Sequence, residues 1–407
     1  MEKKFMSLCF SNFLIAATLG LFLRFLYIYP TTGFNFKFLT HAHSHIAMLG
    51  WVYLSIQCFV VGWFIKGSLK KYKRLFWVTQ LAVLGMLLSF PIQGYAAISI
   101  SFSTLHIFCS YFLAYYCLKE IKPINPANKF MRWAFIFMIL STIGVWCLGP
   151  TVSQLGKSSP FYQLAIQYFL HFQFNGWFLF AVLSILLKIL KIPNSSLVSK
   201  VYTLGIISTI LTFAFPASWY LNLDMLYWVN ALGVILQLAM LYYLVRLLRQ
   251  PLGDYLSNQN TLVKNLYRFA IFSFMIKVIT QIFSCVPYIA DQAHLYRNLV
   301  IGFIHLFMLG IISSLLFVYF YRSLRVSNLF CFKWGSYLFL IGIVVTELLL
   351  FTQGLIYILR LGSGLPQYYL WLFIGSAVLV VGILLLLISV LQSSVLKIGL
   401  AEVSQTT

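Results

Sequence analysis

The residues of this chain whose types and spacing could do chemistry are its seven histidines, at positions 41, 43, 45, 106, 171, 294 and 305. Neutral imidazole is the common nitrogen ligand for haem iron and copper, and two imidazoles on facing helices can clamp a haem from both sides. Two of the seven open the same string, His45-Ile-Ala-Met48-Leu49-Gly50 and His305-Leu-Phe-Met308-Leu309-Gly310. On an α-helix each glycine falls about 140° from its histidine. It therefore serves close helix approach, while Met48 and Met308 share the histidine face. His41 and His45 lie one turn apart on one face and His43 points nearly the opposite way. The match to the His305 string selects His45 as the ligand of this cluster.

The elements that must position these side chains are membrane spans. Of the 407 residues, 61% are AVILMFWYC and 9% are charged, which excludes an ordinary soluble protein. Twelve apolar stretches are long enough to cross a bilayer, at about 8–29, 39–65, 75–98, 100–118, 131–149, 162–187, 201–219, 225–245, 266–288, 298–321, 334–358 and 368–391. The fold class is an all-α polytopic membrane protein forming one domain over residues 1–407. The first stretch follows Glu2-Lys3-Lys4 like a signal peptide, but it is long and no small-residue cleavage site follows, so it reads as a span. Pro30, Pro123, Pro126, Pro193 and Pro251 mark the turns.

The net charge of +21 would suggest nucleic acid in a soluble domain. In this chain it is a topology signal, and no nucleic-acid partner is expected. Of the 28 Lys and Arg residues, 22 fall at one end of the spans, including Lys397, against Arg24, Lys37, Lys157, Arg297 and Arg360 at the other. Lys277 lies inside span 9. The basic loops place both termini in the cytoplasm, as in a bacterial inner membrane. The seven cysteines form no CxxC pair, which gives no disulfide framework, zinc knuckle or c-type haem attachment.

On that topology His45, His106, His171 and His305 lie in spans 2, 4, 6 and 10, all running inward. Each comes six to nine residues after its span begins, a depth of about 9–14 Å at 1.5 Å per residue. An ionisable group at that depth is costly unless paired or liganded. Four helices agreeing in depth make a layer toward the outer face, and packing histidines have no reason to share a plane. His41, near the interface, is a further candidate ligand; His294 lies in an outer loop and takes no role. Lys277 and Glu347 match in depth on spans 9 and 11, as an ion pair or a proton relay. Gln93, Gln173, Asn175 and Gln281 read as hydrogen-bond partners between helices.

With these residues in place, the chain resembles subunit I of the haem-copper oxidase superfamily, which has twelve spans and histidines in spans 2, 6, 7 and 10. The resemblance implies a low-spin haem b between His45, in HAHSHIAMLGW, and His305, in GFIHLFMLG. It places His171, in YFLHFQFNGWF, at a copper ligand, and Arg360 on the haem propionates, where a guanidinium suits two carboxylates. The chain departs from the family at Phe303, where the high-spin haem ligand would stand, and in FAFPASW (213–219), which lacks the span 7 histidines. The pattern also resembles the NnrS family of haem- and copper-containing membrane proteins, in which His106 and His41 could join His171 at a divergent metal site. The implied partners are a cytochrome c or quinol donor and a diatomic, oxygen or nitric oxide. Two other classes compete: a twelve-span secondary transporter, and a membrane protein that binds copper without haem.

Overall fold

The computed structural model describes residues 3–395; Lys397 lies outside them. The twelve expected spans are present as helices long and apolar enough to cross a membrane. They are span 1 (Lys3–Ile28), span 2 (Phe36–Phe64), span 3 (Lys70–Gln93), span 4 (Ala97–Glu120), span 5 (Pro126–Leu155) and span 6 (Pro160–Ile189). Span 7 (Ser196–Ser218), span 8 (Met225–Ser257), span 9 (Thr261–Phe283), span 10 (Arg297–Ser323), span 11 (Leu329–Ile358) and span 12 (Tyr368–Gln392) follow. Six of them start on a side-chain cap. Asn35, Asn125, Ser159, Ser195, Asn260 and Asn328 each accept a hydrogen bond from the backbone N–H three residues on. Pro251 does not mark a turn: span 8 runs through it to Ser257.

The spans repeat in units of four. Within each unit the first packs on the second and the third on the fourth. Span 4 then meets span 5, span 8 meets span 9, and span 12 closes the ring on span 1. Spans 2, 6 and 10, the second of each unit, touch one another at the centre. Burial follows this plan, since their most apolar windows are 78%, 89% and 61% buried against 50% or less elsewhere. The outer nine spans use the rest of their apolar surface against lipid, as Trp77, Leu88 and Leu348 do.

Each central span changes winding at the same place. Immediately after His45, His171 and His305 the helix widens into π geometry, over Ile46–Tyr53, Phe172–Phe178 and Leu306–Ser313. The Ser313 hydroxyl bonds the Met308 carbonyl five residues back, at 2.8 Å, as that winding requires. Gly50, Gly176 and Gly310 fall five residues after the three histidines and lie against neighbouring helices, Gly50 against spans 1 and 3, Gly176 against span 5 and Gly310 against span 9, the close approach expected for Gly50 and Gly310. A methyl group on Gly176 would stand 2.5 Å from Phe137 Cβ, whereas one on Gly310 would meet the Ser273 hydroxyl at 2.7 Å, the end of a short side chain that can turn. Gly176→Ala should therefore lower stability by about 1–3 kcal/mol, the usual cost of overpacking. Gly310→Ala should cost less, and detergent melting curves of the two variants, if they coincided, would sink this ordering.

Candidate functional site

The packing of the central spans changes at the level of the histidines. On the side of the basic loops, residues 48–60, 171–187 and 306–320 are buried almost without a break. Toward the opposite end, 36–47, 161–170 and 298–305 are mostly half-open. His43, His45 and His305 are half-buried at this level. Below them the floor is aromatic and closed. Trp51 Nε1 donates to the Ser313 hydroxyl at 2.9 Å, tying span 2 to span 10, and Phe174 meets Phe307 with ring centres 5.9 Å apart.

The three histidines of span 2 take different neighbours. The His43 ring lies over Gly20 of span 1, and its Nδ1 is 2.8 Å from the Ala16 carbonyl. A carbonyl only accepts, so Nδ1 carries the proton and the Nε2 lone pair is left for a ligand, the arrangement that orients metal-binding histidines. His45 is committed on both sides. Its Nδ1 donates to the His41 carbonyl at 2.8 Å, and its Nε2 accepts from the Tyr95 hydroxyl at 3.2 Å. The protein packed around Tyr95, with the Tyr162 phenol as a second cause, raises its pKa above the ordinary tyrosine value, so the phenol remains a donor. His41 also leans on Tyr95, with ring centres 4.6 Å apart.

His305 of span 10 has a buried Nδ1 without a hydrogen-bond partner. The charged and titratable groups whose fields reach it are Arg24 and His43. His43 rests on span 1, at Ala16 and Gly20, whereas His45 is turned to the Phe90 and Tyr95 rings. From sequence Arg24 counts among the basic residues at the outer end of the spans. It is instead enclosed near both histidines, donating to the Ser376 hydroxyl and, at 3.4 Å, to the Leu372 carbonyl. The guanidinium at this site is Arg24. Arg360 is exposed just past span 11, at a left-handed φ of 54°.

The residues expected at a second metal do not come together. His171 Nε2 donates to the Thr209 carbonyl of span 7 at 2.8 Å. His106 stands edge-on to Tyr53 with ring centres 4.6 Å apart, and its Nε2 is buried without a partner. With His41 on Tyr95, the three imidazoles serve three different neighbours. Among the described residues, no three His, Cys, Asp or Glu side chains form a group able to hold a metal ion.

Lys277 and Glu347 do not pair either. The Lys277 amine and both Glu347 carboxylate oxygens are buried without hydrogen-bond partners. Lys277 acts on His171, and Glu347 lies by Arg24 and Gly302, so equal depth on spans 9 and 11 is not adjacency. Gln173 does bridge helices, donating to the Ser141 hydroxyl of span 5 at 3.0 Å, while Asn175 bonds back to His171 of its own helix. The signal that reading missed is the third member of the repeated string: His171 and Gly176 have the spacing of His45 with Gly50 and His305 with Gly310. The chain matches no protein-family model, and a search of curated proteins found no relative.

Proposed function

We propose that this is a haem-binding membrane redox protein in which one b-type haem is held between spans 2 and 10, with His43 and His305 as axial ligands. The observation that carries the reading is the pair of imidazoles on two touching central spans: one has its Nδ1 anchored to a carbonyl and the other has no hydrogen bond. Arg24 would take a propionate, using guanidinium donors beyond those spent on Ser376 and Leu372. The absence of a CxxCH string sets aside c-type attachment, and a b-type haem is the non-covalent group the resemblance implies. When bound it would supply a one-electron couple, and two histidine ligands would suit electron transfer rather than capture of a small ligand.

The chain's own residues hold the ring planes, close the floor with Trp51, Phe174 and Phe307, and keep bulk water on the outer side. The features this reading shares with the resemblance to haem-copper oxidase subunit I are the twelve spans and the histidines in spans 2, 6 and 10. The proposal is confined to one haem and assigns no copper, because His41, His106 and His171 are apart. The basic loops place the termini in the cytoplasm and the histidine layer toward the outer face of a bacterial inner membrane. A cytochrome c or a quinol is the electron donor that suits this position, and oxygen or nitric oxide the eventual acceptor. A secondary transporter fits less well, since such folds pair repeats about interrupted helices, and the three central spans here run on without a break.

The test is the reduced-minus-oxidised visible spectrum of protein purified in detergent from haem-replete cells, with a pyridine haemochrome assay. A sharp low-spin b-type signal near one haem per chain is expected. A folded, colourless chain would overturn the reading.

A further inference from the structure

At the basic end of the bundle, between spans 8, 9, 10 and 11, lies a cavity of about 400 Å³. Its polar lining is Arg322, Tyr255, Tyr321 and Gln259, and Val263 and Val318 form part of its apolar wall. No carboxylate lines it. The Arg322 guanidinium is exposed and sits over the Tyr255 ring, 5.9 Å from its centre, so the ring face holds the charge in place while leaving its N–H donors free. The Tyr321 hydroxyl accepts from Asn260 Nδ2 at 2.7 Å, which leaves its own proton free to donate into the same space. One wall is Leu324, in a two-residue strand (Leu324–Arg325) paired with Ser394–Val395 beyond span 12. At the mouth stands Leu329, 57% exposed, continuous with the exposed side chains of Phe330 and Trp334 on the lipid-facing side of span 11.

We infer that this cavity is a binding site for the headgroup of an anionic phospholipid. Its phosphate would be taken by Arg322 and the Tyr321 hydroxyl, and its glycerol and upper acyl carbons would lie on the valine wall and Leu329. A guanidinium matches a phosphate with two parallel hydrogen bonds, and a basic pocket between spans at the level of the headgroups is where such lipids are held. A free phosphate shares the charged half of this chemistry but has no use for the apolar half. The inference is independent of the haem reading, because the cavity lies at the far end of span 10 from His305.

The test uses the full chain in neutral detergent, stripped of lipid and then given phosphatidylglycerol, phosphatidylcholine or inorganic phosphate, with bound lipid counted by native mass spectrometry and stability read by melting. Phosphatidylglycerol should be retained and should raise the melting point, with phosphatidylcholine and phosphate doing neither. Arg322→Gln should weaken retention about tenfold or more, the scale of a lost charge-assisted hydrogen bond. Gln259→Glu, which adds a carboxylate without touching the guanidinium, should do the same if Arg322→Gln fails to fold. Arg249→Gln, on span 8 outside the cavity, should leave retention unchanged. Equal retention of phosphatidylcholine, an equal effect of phosphate alone, or an unchanged affinity in both cavity variants would overturn the assignment.

Discussion

Alanine at position 43 is expected to remove the low-spin haem signal, and alanine at position 45 is expected to leave it. The reason is the hydrogen bonding of the two rings. His43 spends only Nδ1, on the Ala16 carbonyl, while His45 spends Nδ1 on the His41 carbonyl and Nε2 on Tyr95. A ring with both nitrogens engaged must break one bond before it can bind iron; a ring anchored by one nitrogen is already aimed. Haem content of His43→Ala and of His305→Ala should fall by more than about tenfold, the range that even outer partners of metal ligands command. His45→Ala should keep near one haem per chain. Exogenous imidazole should restore colour to His43→Gly, which a purely structural role would not allow. Loss of haem in His45→Ala with retention in His43→Ala would return the ligand to the face of spans 3 and 4.

Replacing Lys277 by methionine should make the protein more stable. Lys277 is wholly buried and its amine has no hydrogen-bond partner, so the folded chain carries a polar group that water would otherwise satisfy. Methionine keeps the length and flexibility of the stem without the amine. The expected gain is about 1–3 kcal/mol, the ordinary penalty of an unsatisfied buried group. It would be read as a raised melting temperature in detergent with haem content unchanged. A lowered melting temperature would mean that the amine is satisfied by ordered water or by a bound group beside His171, and would sink the account of Lys277 as an unpaid cost.

The number of spans and their order could both be read from the sequence. Twenty-residue apolar runs, alternating basic loops and turn residues each act locally along the chain. What the sequence did not show depends on winding and on neighbours. The 140° offset between His45 and Gly50 assumes α geometry, and the helix after His45 is a π-helix, so faces counted at 100° per residue drift within one turn. Composition and spacing in span 2 carry no sign of Ala16 and Gly20, two small residues of span 1 that make room for the His43 ring. The partner of Arg24, Ser376, is in the last span, so position in the chain gives no sign of the pairing. Arg360 was favoured because a basic residue after span 11 suits the family pattern, and the left-handed turn that carries it outward leaves no signature in composition. The mid-membrane lysine and glutamate matched in depth, but depth along two helices says nothing of their rotation.

The closure of span 12 on span 1 also sets an order of events in biosynthesis. Arg24 enters the membrane with the first span, but the Leu372 and Ser376 groups that satisfy it are 348 and 352 residues further on. Throughout synthesis of the intervening spans its guanidinium must find water, lipid phosphate or a helper protein, since a bare charge in hydrocarbon is not tolerated. Contacts this distant in sequence are slow to form, because the whole chain must be searched before they reward it. Insertion of the last span is thus the committing step of assembly, and a ribosome stalled before residue 372 leaves a chain whose first helix is still unanchored.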